Sequence, residues 1–211
     1  MLEQNEEMMV AMLESSVNLM KADFKEYFTS GAPDALLQYR NLRQHLSSAS
    51  DVHHKLGVAA VLAHGDFWMS NVAVSKDATT GEERLLAVLD WQMSHPGSTG
   101  EDMARFLCSS VGAELRRGET TNLLTHYHDC LLKECAALGV QPPVSREQVL
   151  EAYRRLFKFG VLAVIGGFGV YASKEEFLGS RPDEARANSL RRAAALLDDF
   201  LASENRSRMP C

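Results

Sequence analysis

Apolar side chains recur at threes and fours from the start of the chain: Met8, Met9, Met12, Leu13, Val17, Met20, Phe24 and Phe28. That is the period of a helix with one buried face, so a helix is expected over residues 1–31, stopped by Gly31-Ala32-Pro33. Leu36, Leu37, Tyr39, Leu42 and Leu46 predict a second helix over residues 35–46, and the Ser-rich residues 47–51 read as a turn or helix cap. The pattern then changes. Residues 58–63 form a short apolar run that enters His64 either as a buried strand or as a helix end. Residues 72–75 and 84–90 flank a polar turn that holds Asp77 and Gly81, and together they predict a β-hairpin. Beyond Gly100 helical periodicity returns, first with Met103, Phe106, Leu107 and Val111, then over residues 123–138, 146–172 and 182–201. Residues 205–211 read as a frayed tail, and no internal repeat is visible.

Composition narrows the function classes. With 211 residues and 45% hydrophobic content the chain can bury one good-sized core or at most two small ones, and one domain is the default. A formal net charge of −6 argues against a nucleic-acid partner, because gripping a phosphate backbone needs clustered Lys and Arg. Cys108, Cys130, Cys135 and Cys211 lack the dense spacing of a disulfide scaffold and fit reduced thiols in a cytoplasmic protein. The N-terminal residues are acidic rather than basic-then-apolar, so no export signal is expected. The longest apolar stretch, residues 159–172, is shorter than the roughly 20 residues that cross a bilayer and reads as a buried helix, with no membrane partner.

One constellation carries chemistry. Phosphoryl transfer needs a carboxylate to hold the acceptor hydroxyl in line and hard oxygen ligands to place Mg²⁺ on the nucleotide phosphates. Kinases supply these as an Asp, an Asn five positions later, and a second Asp at the end of a following hairpin. In this chain Asp66 and Asn71 have that separation, and Asp90 ends the hairpin. Antiparallel pairing through the intervening turn brings Asn71 and Asp90 to the same end of the ladder.

His64-Gly65-Asp66 resembles the His-Gly-Asp of aminoglycoside phosphotransferases and choline kinases, and the strings HGDFWMSN and LDWQ look most like the CHK kinase-like (ecdysteroid-kinase-like) family. The resemblance covers roughly residue 58 to the C-terminus. It implies a mainly α fold with a small β-hairpin, namely the C-terminal lobe of a protein-kinase-like fold. Its parts would be a helical lead-in (residues 1–57), a catalytic loop and metal-site hairpin (58–100) and a helical subdomain (101–204). It further implies that Asp66 is the catalytic base, that Asn71 and Asp90 hold Mg²⁺, that His64 supports the loop, and that Asp102 in the string EDMARFL holds that loop rather than touching substrate. ATP would be the phosphoryl donor and a small hydroxylated metabolite the acceptor. Gly65 stands where many protein kinases have the arginine that pairs with a phosphorylated activation loop, and only about ten residues separate Asp90 from the next helix. Both features favour a small-molecule acceptor over a protein.

The N-terminal lobe of such a fold, with its phosphate-covering loop, strand lysine and paired glutamate, is not found in the 63 residues before His64. Poor nucleotide affinity is therefore expected of this chain alone. Three explanations stay open: a truncated gene product, which is the simplest, a degenerate pseudokinase, or a lobe that works with a partner. The rival to a phosphotransferase lobe is a non-catalytic helical binding module that keeps the motif as a relic. Among other features, Trp68 and Trp91 are expected in the core rather than as stacking platforms. His126, Cys130 and Glu134 share a helical face but read as an ordinary helix rather than a zinc site. His53-His54 is expected as a solvated helix end. Gly166-Gly167-Phe168-Gly169 lacks the preceding strand and following Lys-Ser or Lys-Thr of a phosphate loop and reads as helix.

Overall fold

The computed structural model describes residues 2–39 and 51–208. The fold is mostly helical, with two small antiparallel ladders, as the hydrophobic periodicity predicts. Its elements are α1 (Leu2–Ala22), α2 (Ala32–Leu36), α3 (Val52–Lys55), β1 (Val61–Ala63), β2 (Val72–Lys76), β3 (Glu83–Val88), β4 (His95–Gly97), α4 (Thr99–Ser110), α5 (Ala113–Leu138), α6 (Arg146–Ser173) and α7 (Pro182–Arg208). The chain divides into two compact units, residues 1–48 with 161–211 and residues 49–160, and the division falls within α6.

In the first unit α1 ends nine residues earlier than the periodicity suggests, at Ala22 rather than residue 31. Phe24, Tyr27 and Phe28 are aromatic and weak helix formers, and they follow Asp23, a residue that competes for backbone hydrogen bonds. Tertiary packing adds to this: after a tight turn in which the Tyr27 N–H donates to the Phe24 carbonyl, the Phe28 ring sits edge-on to Phe168 at 6.1 Å. Pro33 does not merely stop a helix; it lies in the first turn of α2, where its missing N–H costs nothing. A 3₁₀ turn (Leu37–Tyr39) follows, and the remainder of the expected second helix and its Ser-rich cap lie outside the described residues. Leu13, Val17 and Met20 of α1, Val161 and Ile165 of α6, and Leu196, Leu197 and Phe200 of α7 are fully or almost fully buried. Ser16, also buried, bridges α1 to α6: its hydroxyl donates to the Gly166 carbonyl at 3.2 Å and accepts from the Gly169 N–H at 2.9 Å. The glycine-rich run is thus helix interior. Helix α7 runs past the expected end near residue 201 to Arg208, and the rest of the expected tail lies outside the described residues.

The second unit carries the motif. Val52, Ala104, Leu107, Leu124, Val149, Ala152 and Leu156 form its hydrophobic core, drawn from α3, α4, α5 and α6. Helices α4 and α6 approach at backbone distance through a glycine on each. A Cβ on Gly100 would lie 2.6 Å from the Ala152 carbonyl carbon, and one on Gly160 would lie 2.7 Å from the Ala104 carbonyl oxygen. Of residues 58–63, the second half is a strand: β1 pairs antiparallel with β4, Val61 opposite Gly97 and Ala63 opposite His95. This pairing was not visible in the sequence, because β4 contains Pro96, tolerated here only because the two-stranded ladder leaves it an edge. The hairpin of β2 and β3 forms as expected, with Val72 opposite Val88 and a bulge that skips Leu86. The bulge breaks the period of two, and Leu85 and Leu86 are both exposed. Helix α5 starts ten residues before the expected position, and α6 matches closely. At 28 residues α6 is the one helix among those described that is long and apolar enough to cross a membrane, yet Val149, Ala152 and Leu156 of its first half and Val161 and Ile165 of its second are completely buried. His53, expected to be solvated, is 8% exposed, because α3 turns it inward while His54 faces out.

Candidate active site

Helix α4 is the spine of the site. Ser98 caps it, accepting from the Gly100 N–H, and Glu101 and Asp102 fall in its first turn, where carboxylates suit the positive end of the helix dipole. One face then presents Asp102, Arg105, Phe106 and Ser110, a spacing of three, four and eight residues. The loop from His64 to Met69 runs along that face and meets it residue by residue. The Asp102 carboxylate accepts from the His64 N–H (2.8 Å) and the Gly65 N–H (3.0 Å). Arg105 Nη2 donates to Asp66 Oδ1 at 2.8 Å. The rings of Phe67 and Phe106 stack at 5.1 Å, and the Ser110 hydroxyl accepts from the Met69 N–H at 2.8 Å.

His64 is buried and joins the loop to the end of the hairpin. Its Nε2 lies 2.7 Å from the Leu89 carbonyl oxygen, and its Nδ1 is 3.3 Å from the Asp66 N–H. These partners fix the neutral tautomer: Nε2–H donates to the carbonyl, and Nδ1 accepts from the amide. A 3₁₀ turn (Met69–Asn71) brings Asn71 back toward Asp66, and the Asn71 Nδ2 donates to the Asp66 carbonyl at 2.9 Å, with Asp66 Oδ2 at 3.5 Å. Because the amide nitrogen faces two acceptors, the amide oxygen is the atom Asn71 can offer to a cation. The Leu89 N–H donates to the Asn71 carbonyl at 2.8 Å, so Asp90 emerges at the same end of the hairpin as Asn71. Asp90 is exposed and has φ 61° and ψ 60°, the one non-glycine residue with positive φ among those described. Asp is among the few residues that adopt this conformation at modest cost, and held strain of this kind gathers at functional sites.

Gly65 is required where it stands. Its φ is +82°, and a Cβ there would lie 2.4 Å from the Met93 carbonyl oxygen. That carbonyl is fixed in turn by His95, whose Nδ1 is 2.9 Å away while its Nε2 pairs with Glu101 Oε1 at 3.0 Å. Donation to Met93, with the Glu101 charge assisting, holds the His95 pKa above its ordinary value. Burial pushes the Glu101 carboxyl up against the opposing pull of His95. Trp91 is not a core residue: it is 47% exposed, with one face toward His64 (ring centroids 4.7 Å apart) and its indole N–H donating to the Val88 carbonyl. Trp68 is half-buried.

Sequence reasoning placed Asp66, Asn71, Asp90, His64 and Asp102, and the structure gathers all five around one loop and one hairpin end. It missed Arg105. The signal was present in EDMARFL, where Arg105 falls one turn after Asp102 on the same helical face. On α5, Cys130 lies 3.6 Å from His126, and no group of three or more His, Cys, Asp or Glu among the described residues is arranged to hold a metal ion.

A mostly helical unit with such a loop and hairpin is consistent with the C-terminal lobe of a kinase-like protein, and a protein with a kinase-like name is among the relatives. The chain belongs to the DUF1679 family, whose model, described as "Uncharacterized oxidoreductase dhs-27", matches residues 2–208. It is 29% identical over 155 residues to a Caenorhabditis elegans protein named "Uncharacterized kinase-like protein D1044.1", a match covering 70% of this chain and 39% of that protein. It is 30% identical over 110 residues to "Uncharacterized oxidoreductase dhs-27" of the same organism, covering 51% of this chain and 14% of that protein. The chain thus spans well under half the length of either curated relative. No solved structure matches it.

Proposed function

We propose that this chain is the catalytic-loop lobe of a small-molecule kinase of the CHK kinase-like branch, moving the γ-phosphoryl group of ATP to an alcohol. The observation that supports this best is the convergence of Asp66, Asn71 and Asp90 on one hairpin end, with the loop backbone clamped by Asp102. In the proposed reaction the acceptor hydroxyl donates a hydrogen bond to Asp66. Asp66 Oδ1 is already taken by Arg105, whereas Oδ2 has only the long 3.5 Å contact with Asn71, so Oδ2 is the oxygen that receives the proton. As the new O–P bond forms, the bond from phosphorus to the ADP oxygen breaks, and ADP leaves with that electron pair.

The Asn71 amide oxygen and the Asp90 carboxylate suit Mg²⁺, a hard ion that takes one or two protein ligands and fills the remainder with water and phosphate oxygens. When bound, Mg²⁺ supplies charge neutralisation at the phosphates. The chain's own contribution is to hold Asp66 against the loop backbone, to fix His64 in one tautomer, and to present Asp90 at the hairpin end.

The name of the second relative raises an oxidoreductase reading. The match covers 14% of that protein. Among the described residues the sheets are two-stranded and antiparallel, without the parallel βαβ unit and Gly-rich turn that bind a dinucleotide. These features support the phosphotransferase reading over the oxidoreductase one, and the non-catalytic alternative is separated from it by experiment. Millimolar Mg²⁺-ATP should raise the melting temperature of the chain, by the equivalent of about 1.4 kcal/mol at ten times the Kd. Asp90→Asn combined with Asn71→Ala should abolish the magnesium dependence of that shift. An unchanged melting temperature sinks the reading for this chain. In any form of the protein that turns over, Asp66→Asn should stop ATP-dependent phosphorylation, and retained turnover would remove Asp66 from its role.

A further inference from the structure

The turn that presses on Gly65 is backed by a histidine whose two ring nitrogens both face acceptors. We infer that His95 and Glu101 are positioning residues that share one proton and with it latch the loop carrying Asp66, so that the loop is fixed while the proton stays and loosens as rising pH removes it. That the latched loop is catalytic rests on the phosphotransferase reading; the latch itself does not.

His95 Nδ1 lies 2.9 Å from the Met93 carbonyl oxygen, and Nε2 lies 3.0 Å from Glu101 Oε1. A neutral imidazole has one N–H, and the Met93 carbonyl can only accept, so that N–H is on Nδ1. Nε2 then meets Oε1 in one of two ways, as an imidazolium N–H on a carboxylate or as a lone pair receiving a carboxylic acid proton. Both hold one proton between the two side chains. Without it a lone pair would face a carboxylate on a side chain that is 9% exposed, where little water offsets the repulsion. The seat for that carboxylate is built into the chain. A Cβ on Gly97 would lie 2.6 Å from Glu101 Oε2, 2.9 Å from the Ala63 Cβ and 3.2 Å from His95 Nε2, so the carboxylate rests on bare backbone where a side chain would be. The Ser98 N–H supports it as well, closing a capping box at the start of α4.

The latch reaches the loop by two routes. Through Met93, His95 backs the carbonyl packed against Gly65, where a Cβ would lie 2.4 Å away. Through the strands, His95 pairs with Ala63, the residue before His64. Asp102, next to Glu101, holds the His64 and Gly65 amides, and its charge favours keeping the proton on the pair. The other elements around the pair bring no competing charge. Strand β1 carries no titratable side chain, and α6 meets this end of α4 through the backbone of Ala152 and Tyr153. Tyr127 of α5 faces Asp102 and keeps its proton, since burial holds its pKa above the ordinary value. Both His64 ring nitrogens are engaged, by Leu89 and by Asp66. His95 is raised chiefly by its bond to Met93 and Glu101 by burial, so the shared proton leaves only as pH climbs above the ordinary histidine range. In the proposed reaction this adds a falling alkaline limb to the pH profile.

The test follows the full chain by NMR from about pH 5 to 9 without nucleotide, observing the His95 ring nitrogens and the glycine amides. Protection of the Gly65 amide against exchange, corrected for its intrinsic rate, should fall at least about 10-fold across the midpoint at which His95 titrates, the weight of one charge-assisted hydrogen bond. The Gly81 amide, bonded to the Asp77 carbonyl in the hairpin turn, should not follow. In Glu101→Gln the side-chain amide can donate to a neutral Nε2 with no shared proton, so Gly65 should stay protected throughout. Gly97→Ala displaces the carboxylate and should leave Gly65 poorly protected at every pH. A Gly65 amide that ignores the His95 midpoint, or a step that survives in Glu101→Gln, would overturn the inference; if Gly97→Ala does not fold, those two measurements decide it alone. Failure of the kinase reading shows separately, as the absence of any Mg²⁺-ATP shift, and leaves these resonances unchanged.

Discussion

Replacing Asp102 with Ala tests whether one side chain holds the whole candidate loop. Its carboxylate accepts from the His64 N–H at 2.8 Å and the Gly65 N–H at 3.0 Å, a separation of 38 and 37 residues along the chain. Hydrogen bonds to a charged acceptor contribute about 1.5–3 kcal/mol each, and a buried donor left alone costs about 1–3 kcal/mol. His64 is 2% exposed, so its amide cannot turn to water, while Gly65 is half-buried and recovers part of its loss. About 3 kcal/mol is the expected total for Asp102→Ala, following from roughly 2 kcal/mol at His64 and 1 kcal/mol at Gly65. The assay is urea denaturation followed by tryptophan fluorescence. The only tryptophans, Trp68 and Trp91, both lie in the unit of residues 49–160, so the signal reports that unit without interference from the other. With a urea slope of about 1.5 kcal/mol/M the midpoint should fall by about 2 M. The exposed Glu134→Ala change, away from the loop, should shift it by less than about 0.3 M. Hydrogen exchange at the His64 and Gly65 amides should accelerate in the same variant. A midpoint within about 0.3 M of that of the unaltered chain, or unchanged exchange at both amides, would refute the assignment of the clamp.

Other outcomes follow from the same geometry. Gly65→Ala places a Cβ against the Met93 carbonyl in a backbone region that disfavours side chains, and should cost about 2–4 kcal/mol in the same fluorescence assay; a loss under about 1 kcal/mol would show that the 91–93 turn yields freely. Asp90→Gly relieves a left-handed aspartate and should raise stability by about 0.5–1 kcal/mol while removing Mg²⁺-dependent nucleotide binding; a gain of stability with binding intact would deprive Asp90 of its metal role. The His95 and Glu101 pKa values are both raised in the fold, His95 chiefly by donation to Met93 and Glu101 by burial. At these two groups the folded chain binds more protons than the unfolded one, and their contribution to stability falls as pH rises, first above the ordinary glutamate range and again from the ordinary histidine value through its raised folded value. Urea midpoints measured from pH 5 to 8 should show this fall, and His95→Gln should flatten its upper part; a midpoint rising across that interval contradicts the His95 contacts.

Local chemistry made much of this protein readable from its sequence. The 3.6-residue period gave the long helices because it depends only on which side chains can share a buried face. Asp77 and Gly81 gave the hairpin turn: the Asp77 carboxylate accepts from the Thr79 and Thr80 amides, and Gly81 has φ +71°. Five positions between Asp66 and Asn71 are within reach of one turn, so their spacing carried the candidate site. What the sequence left open depends on partners far along the chain. The end of α1 at Ala22 reflects where Phe28 meets Phe168, and the strand character of residues 61–63 exists only because residues 95–97 pair with them. The need for glycine at position 65 comes from the approach of the Met93 carbonyl as well as from its positive φ, and the first of these is set by residues 28 positions further on. Arg105 illustrates the division. The sequence places it one turn beyond Asp102, on a helix that periodicity identifies; that its guanidinium rests on Asp66, 39 residues away, was decided by how α4 lies along the loop. Periodicity fixes the face of a helix, and only packing decides what lies opposite that face.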